Sequence, residues 1–314
     1  MSRFDAVFVG LTILDIAGRS VSSIPEGSNV QFIEQIRLNP AGTAAGALIN
    51  AAKLGISTST VACFGHDEKA EFILGAYRRL GIDCSLVQYS DNYQTSATIL
   101  PIRHNGERPA WHCRGASDAL YIGDEDFPAI LDCRYLHHGG TGLLAAMDQG
   151  QSVRLLAAAR ARGITTSFDL IAPNESTLAL LRPLLPYVDY FMPSLEEAAF
   201  ISGKENPADI ASFFINMGAR NCIFKDGPQG SWWCDGNQCL HIPAYQVEAK
   251  DTTGCGDSYC GGFIAGLVKG LTVMQACQLA SAVAALVATE LGSDAGVTNW
   301  QQVQQFMETT PLRS

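Results

Sequence analysis

Apolar positions follow two rhythms along the chain. Short runs rich in β-branched and aromatic residues, at Val7 to Gly10, Thr58 to Cys63, Tyr135 to His138, Thr165 to Asp169, Tyr187 to Met192 and Cys222 to Lys225, have the pattern of buried strands. Between them lie Ala- and Leu-rich stretches with helical spacing, clearest at Thr43 to Leu54, Glu68 to Leu80, Gly150 to Arg162 and Ser194 to Ile201. Strand and helix in alternation is the sequence form of parallel βαβ units. The pattern therefore predicts an α/β fold with a doubly wound, mostly parallel sheet flanked by helices. In such sheets ligands gather at the C-terminal strand ends, where Asp15, Gly139-Gly140 and Asp169 fall.

Ile16 to Leu38 and Gln94 to Ser117 break this rhythm, being richer in β-formers and turn residues than in helix pattern. They are expected to pair into a small inserted β-sheet. In the second, Ser96 to Ile102 and Pro109 to Arg114 flank His104-Asn105-Gly106-Glu107, and Asn-Gly predicts a hairpin. No repeat or linker divides the chain, so residues 1–314 are expected to form one domain carrying that insertion. Near the end, Gly261 to Lys269 and Val273 to Leu291 read as two helices stopped by Gly270 and Gly292.

Composition narrows the picture. A hydrophobic content of 47% with 17% charge supplies a buried core and excludes a disordered chain. The net charge of −10, without a Lys/Arg stripe, argues against a nucleic-acid partner. Met1 to Gly10 reads as a buried strand rather than a signal peptide, and no apolar run approaches the ~20 residues that cross a bilayer. No membrane partner is expected, and the cytoplasm is the expected location. The 10 cysteines are scattered and expected to be reduced thiols. Cys234/Cys239 and Cys255/Cys260 lack zinc-motif spacing, and His137-His138 would face opposite ways on a strand.

Chemistry concentrates at Asp251-Thr252-Thr253-Gly254-Cys255-Gly256-Asp257, followed by Ser258-Tyr259-Cys260-Gly261-Gly262-Phe263. Two glycines beside an acid, ahead of an apolar helical run, read as a turn feeding a helix N-terminus, where unpaired N–H groups attract anions. A carboxylate there repels phosphate unless it has another task. Asp257 is either a helix-capping acid or a base that takes the proton from a hydroxyl held against a phosphate.

That string resembles the D-T-x-G-A-G-D signature of the ribokinase-like (PfkB) carbohydrate kinases, with Cys255 at the usual alanine. The resemblance extends over most of the chain, through Gly10 and Asp15, Ala41-Gly42-Thr43-Ala44-Ala45-Gly46, Pro193-Ser194-Leu195-Glu196-Glu197-Ala198 and Lys225-Asp226-Gly227-Pro228-Gln229-Gly230. It implies an ATP- and Mg²⁺-dependent phosphotransferase acting on a hydroxyl of a small sugar or sugar-like substrate, with the inserted sheet as a lid that excludes water. By the same resemblance Asp257 is the base, and Gly254, Cys255 and Gly256 offer backbone N–H groups. Asp15, Gly42, Thr43 and Arg114 bind the substrate. Ser194, Lys225, Gly227, Gly230 and Ser281 line the nucleotide, and Glu197 organises water around Mg²⁺. Asp251, with main-chain oxygens near Thr253 and Gly292, implies a monovalent cation, K⁺. Two departures stand out: Ala41 replaces a family glycine and Gly46 a family asparagine, which removes a sugar hydrogen bond. A homodimer through the lid is expected. A nucleoside kinase of the same fold and a non-catalytic metabolite sensor are the alternatives. A dehydrogenase is disfavoured because no G-x-G-x-x-G follows the first strand.

Overall fold

The computed structural model describes residues 2–104 and 107–313. Its strands are β1 (Phe4–Gly10), β2 (Ile13–Arg19), β3 (Gln35–Ala41), β4 (Thr58–Val61), β5 (Cys63–Gly65), β6 (Gln88–Ser90), β7 (Ala97–Ile102), β8 (Trp111–Cys113), β9 (Cys133–Thr141), β10 (Thr165–Leu170), β11 (Tyr190–Phe191), β12 (Asn221–Lys225), β13 (Ser231–Cys234) and β14 (Cys239–Ile242). The helices are α1 (Thr43–Lys53), α2 (Glu68–Arg79), α3 (Phe127–Ile130), α4 (Gln151–Ala161), α5 (Thr177–Leu184), α6 (Leu195–Ser202), α7 (Pro207–Asn216), α8 (Cys255–Val268), α9 (Val273–Ala288) and α10 (Trp300–Thr309).

The main sheet has the order β14-β13-β12-β11-β10-β9-β1-β4, parallel from β12 to β4 and antiparallel at β13 and β14. Both faces are covered. In β1, Ala6 and Phe8 join the core beneath α1, α8 and α9, while Val7 and Val9 join the core on the opposite side. A strand buried on both faces reads as a continuous apolar run, which is why the parallel strands were legible. Helix α8 lies directly on α1, because a Cβ on Gly261 would sit 2.2 Å from the Ala47 carbonyl oxygen.

A second sheet, ordered β3-β2-β7-β8, draws on the two segments that break the helical rhythm and extends past the first at both ends, so that Asp15, expected at a strand end of the main sheet, lies inside β2 of this one. Its register sorts side chains by face. Asn39, Asp15, Thr98 and His112 form one cross-strand row, and Leu38, Ile16, Ile99 and Trp111 form the next. Successive rows point to opposite faces, so the sheet has a polar side, with Asp15 and Asn39 buried, and an apolar side on which Leu38, Ile99 and Trp111 are exposed. Strands β7 and β8 pair as a hairpin would, but Asn105-Gly106 of the expected turn lies outside the described residues.

Several expectations are corrected. The run from Tyr187 to Met192 yields only the two-residue β11, since Leu185–Tyr187 closes a 3₁₀ turn. Helix α8 starts at Cys255 rather than Gly261, because Gly261 and Gly262 are sites of close interhelical contact inside it and not a boundary. Helix α9 stops at Ala288, three residues short of Leu291. Cys234 and Cys239 are directly opposed across the β13–β14 pair and are joined by a disulfide, against the expectation that all thiols are reduced. His137 and His138 do face opposite ways: one meets Ser167 Oγ and the other Ser152 Oγ, each at 2.9 Å. Burial pushes the two imidazoles down, to about 3 and about 4, so both are neutral, fully buried core residues.

Candidate active site

The turn before α8 sets the geometry. Gly254 caps the helix at φ 73°, and a Cβ there would meet Ser293 Cβ at 2.2 Å, so both backbone and packing require glycine. Ser258 N–H donates back to the Gly254 carbonyl at 2.8 Å, and Cys255 N–H donates to the Thr252 carbonyl at 3.3 Å. Gly256 and Asp257 amides have no acceptor among the described residues. An anion would therefore meet Gly256 and Asp257, while the expected Cys255 amide is already engaged. Burial pushes the Cys255 thiol up to about 12, with Asp251 reinforcing it, so no thiolate forms there.

Asp257 is the third residue of α8 and is partly buried. Its back is against α1, where a Cβ on Gly46 would lie 2.6 Å from Asp257 Cβ and 3.2 Å from Oδ2. In this structure a side chain at position 46, where the family pattern has asparagine, would press on the Asp257 carboxylate. Burial raises the Asp257 pKa, Lys225 opposes that, Glu197 adds to it and Arg108 opposes it. Gly42 caps α1 at φ 101°, and Thr43 begins it with its hydroxyl buried and without a hydrogen-bond partner among the described residues.

Asp15 on β2 is 5% exposed, and its carboxyl is pushed up to about 7 by burial, then by the charge of Asp257, against the Thr98 hydroxyl. Asp15 also feels Asp251 and Arg108. Asp257 and Asp251 thus bear on Asp15 as like charges, with the Arg108 guanidinium opposing them. Arg108 follows β7 and reaches across to donate to Thr253 Oγ1 at 2.5 Å, tying the second sheet to the anion turn. It was missed in the sequence because nothing local distinguishes it. Arg114, the arginine expected near substrate, is held by both oxygens of Asp118, at 2.7 Å each.

On the other flank, Lys225 at the end of β12 does not project freely toward a nucleotide. Its Nζ is 2.5 Å from Asp169 Oδ2 and 3.8 Å from Cys260 Sγ. Burial pulls this ammonium down, but Asp169, Cys260, Asp257 and Glu197 overcome that and hold it raised. Lys225 also packs under the anion turn, since a Cβ on Gly256 would be 3.3 Å from Nζ. Asp169, legible only as a strand-end acid, is thereby the partner that fixes it.

Glu197 and Ser194 form a capping box on α6. Ser194 N–H and Oγ donate to Glu197 Oε2 at 2.9 and 2.8 Å, and Glu197 N–H returns to Ser194 Oγ at 3.2 Å. Burial and the nearby Asp169 raise the Glu197 pKa. Gly227 and Gly230, at φ 51° and 100°, bound the β12–β13 turn, and Ser281 donates its hydroxyl to the Pro243 carbonyl at 3.2 Å. Asp251 accepts from Thr253 N–H and Oγ1 through Oδ1 and from Gly292 N–H through Oδ2. A cavity of about 440 Å³ lined by Arg182, Phe213 and Met217 lies elsewhere, between α5 and α7, and holds none of these groups.

This arrangement can be set beside known proteins. The chain is 25% identical over 276 residues to a ribokinase of Staphylococcus aureus, covering 84% of this chain and 86% of that one. Among solved structures, the ribokinase of Arabidopsis thaliana complexed with ribose and ATP superimposes with a TM-score of 0.82 at 19% identity, covering 98% of this chain and 99% of the other. An E. coli chain described as ribokinase II, in complex with ATP and Mg²⁺, gives 0.81 at 21% identity, covering 97% and 99%. These likenesses establish a ribokinase-like fold. The model of the pfkB family of carbohydrate kinases matches residues 3–300, nearly the whole length that carries the sheet, the inserted strands and the Asp257 turn. With that span matched, the chain belongs to the pfkB family of carbohydrate kinases, ATP-dependent phosphotransferases with alcohol acceptors.

Proposed function

We propose that the chain transfers the γ-phosphoryl group of ATP to a hydroxyl, probed first as a primary one, of a sugar or sugar-like metabolite. The observation that carries this reading is the Asp257 carboxylate beside the open Gly256 and Asp257 amides, near enough to Asp15 for the two charges to interact. The amides receive charge that develops on the transferred group, and Asp257 accepts the proton of the attacking hydroxyl. Asp15 offers two acceptor oxygens to substrate hydroxyls. Arg108 is a cation whose charge bears on both Asp15 and Asp257, and it helps to neutralise the site as phosphate enters.

The residues fit a nucleotide-borne Mg²⁺. No cluster of three His, Cys, Asp or Glu side chains stands ready for a metal among the described residues, and Mg²⁺ keeps most of its waters, which Glu197 is positioned to orient. The ion, when bound with ATP, supplies charge neutralisation on the phosphates. Gly227 and Gly230 let the β12–β13 turn run close to the nucleotide.

An ADP-release assay with ATP and Mg²⁺ against a panel of sugars, sugar acids and nucleosides tests the reading. Turnover is expected with a sugar or sugar acid, and Arg108→Ala is expected to lower kcat/KM about 10-fold, the size of one lost hydrogen bond to a charged group. Turnover confined to nucleosides would move the acceptor assignment, and ligand-induced melting shifts without any turnover would leave a sensor.

The exposed apolar row Leu38, Ile99 and Trp111 with Ile36 supports a homodimer formed through the second sheet. Light scattering is expected to give twice the 33.6 kDa chain mass, and Ile99→Asp to give the single mass. A native chain of single mass would end that proposal.

A further inference from the structure

The family resemblance implies K⁺ beside Asp251, and the oxygens available there can be counted. Asp251 uses both of its carboxylate oxygens on Thr253 and Gly292. The Ala288 carbonyl accepts from the amides of Lys250 and Asp251, at 2.8 and 3.3 Å. The Gly292 carbonyl accepts from Ala295 N–H at 3.1 Å, and the Ser293 carbonyl from Asn50 Nδ2 at 3.3 Å. The Asp251 and Thr253 carbonyls hold no donor among the described residues, whereas two further carbonyls of the 288–294 loop are met by cations. Arg37 donates to the Leu291 carbonyl, and Lys53 donates to the Asp294 carbonyl.

A monovalent cation needs several oxygens that point inward and are free of protein donors, because it must replace its hydration shell. Here the oxygens of residues 288 and 291–294 each hold a donor. Charge tells the same story. Asp294 is faced by both cations, Arg37 Nη2 lying 2.8 Å from its Oδ1 and Lys53 feeling its charge, while Arg108 reaches the Thr253 hydroxyl that Asp251 holds. Arg37 also presses on the contact between the two loops, since a Cβ on Gly292 would be 3.2 Å from its Nε. Neither cation is incidental to the fold: Arg37 is carried on the polar face of the second sheet, beside Asn39, and Lys53 ends α1, the helix against which Asp257 packs.

We propose that Arg37 and Lys53 take the place of the monovalent cation, holding the 288–294 loop and through Gly292 the Asp251–Gly254 turn, so that this chain works without K⁺. They are positioning residues, acting on the amides of α8 through the loop. Two fixed charges replace an exchangeable one. This rests on the kinase reading above for its activity arm, but not for its binding arm.

The binding arm is thermal melting of the whole chain in KCl and in N-methylglucamine chloride at equal ionic strength. Because an ion that binds the folded state raises its stability, a native chain with no site should melt at one temperature in both salts. The activity arm is phosphoryl transfer in the same salts, expected to agree within about two-fold. Lys53→Met is expected to lose about 10-fold in turnover in N-methylglucamine, the loss of one hydrogen bond to a charged group, and to recover most of it in KCl together with a higher melting temperature. Lys53→Arg should stay indifferent to K⁺. A native chain stabilised or activated several-fold by KCl overturns the proposal, as does a Lys53→Met chain whose loss KCl does not repair. Should Lys53→Met not fold, the native melting comparison still decides. Absence of turnover with every acceptor would count against the kinase reading and leave the melting result standing.

Discussion

Replacing Asp257 by Asn is expected to lower kcat by at least ~100-fold, the contribution typical of a positioned base, while ATP binding is retained. The amide has nearly the shape of the carboxylate, so the tight contact with Gly46 is preserved and the anion turn should not move. What is lost is the acceptor for the hydroxyl proton. The pH profile supplies an independent check. Burial raises the Asp257 pKa and the nearby Glu197 adds to this, so the base is still protonated at pH values where an ordinary aspartate is ionised. Activity should therefore fall as pH drops, with an acid limb lying above the usual carboxylate range. Asp15, pushed up to about 7 by burial and by Asp257, contributes a second group to the same limb. The two titrations are coupled and will be seen as macroscopic values of the pair. In Asp257→Asn the residual activity should lose the limb that belongs to the base. Near-native kcat in that variant would rule out the assignment.

Much of this site was legible before the fold was known, because its backbone needs are written in residue type. The Gly254 and Gly256 spacing announces a turn into a helix, and Asp257 in the first turn announces a charge at its mouth. The parallel strands were legible because burial on both faces leaves unbroken apolar runs, as in β1. The second sheet was visible as a failure of helical periodicity, and its register then explains why Asp15 and Asn39 face inward while Leu38 and Ile99 face out. What was not legible depends on partners distant in sequence. Arg108 and Thr253 are 145 residues apart, Lys225 and Asp169 are 56 apart, and Arg37 and Leu291 are 254 apart. Composition at either end of such a pair carries no mark of the other. Arg114 and Asp118, only four residues apart, form an ion pair that the sequence reading did not draw. Helix boundaries failed where glycine serves packing instead of termination, as at Gly261.

Lys225→Met is expected to destabilise the fold by about 3–5 kcal/mol, the range found when one partner of a buried ion pair is removed. Lys225 and Asp169 have side chains 12% and 2% exposed, with Nζ and Oδ2 2.5 Å apart, so water cannot replace the lost ammonium. Asp169 would then be left beside Asp257, where burial and that like charge already raise its pKa against the pull of Lys225. It will take up a proton or force the strand end open. Either outcome reaches the chemistry, because Lys225 is the main influence lowering the Asp257 pKa. Its removal should move the acid limb of the activity profile to higher pH, a result that mere loosening of the core does not give. The double variant Lys225→Met with Asp169→Leu separates the two effects. Removing both charges also removes the orphaned carboxylate, so the pair should recover much of the stability lost in the single variant, as buried pairs replaced by apolar side chains often do. Urea unfolding of the native chain, both single variants and the double variant measures the coupling directly. A cost below about 1 kcal/mol for Lys225→Met, the level of a surface ion pair, would mean that Lys225 is not the buried clamp under the anion turn.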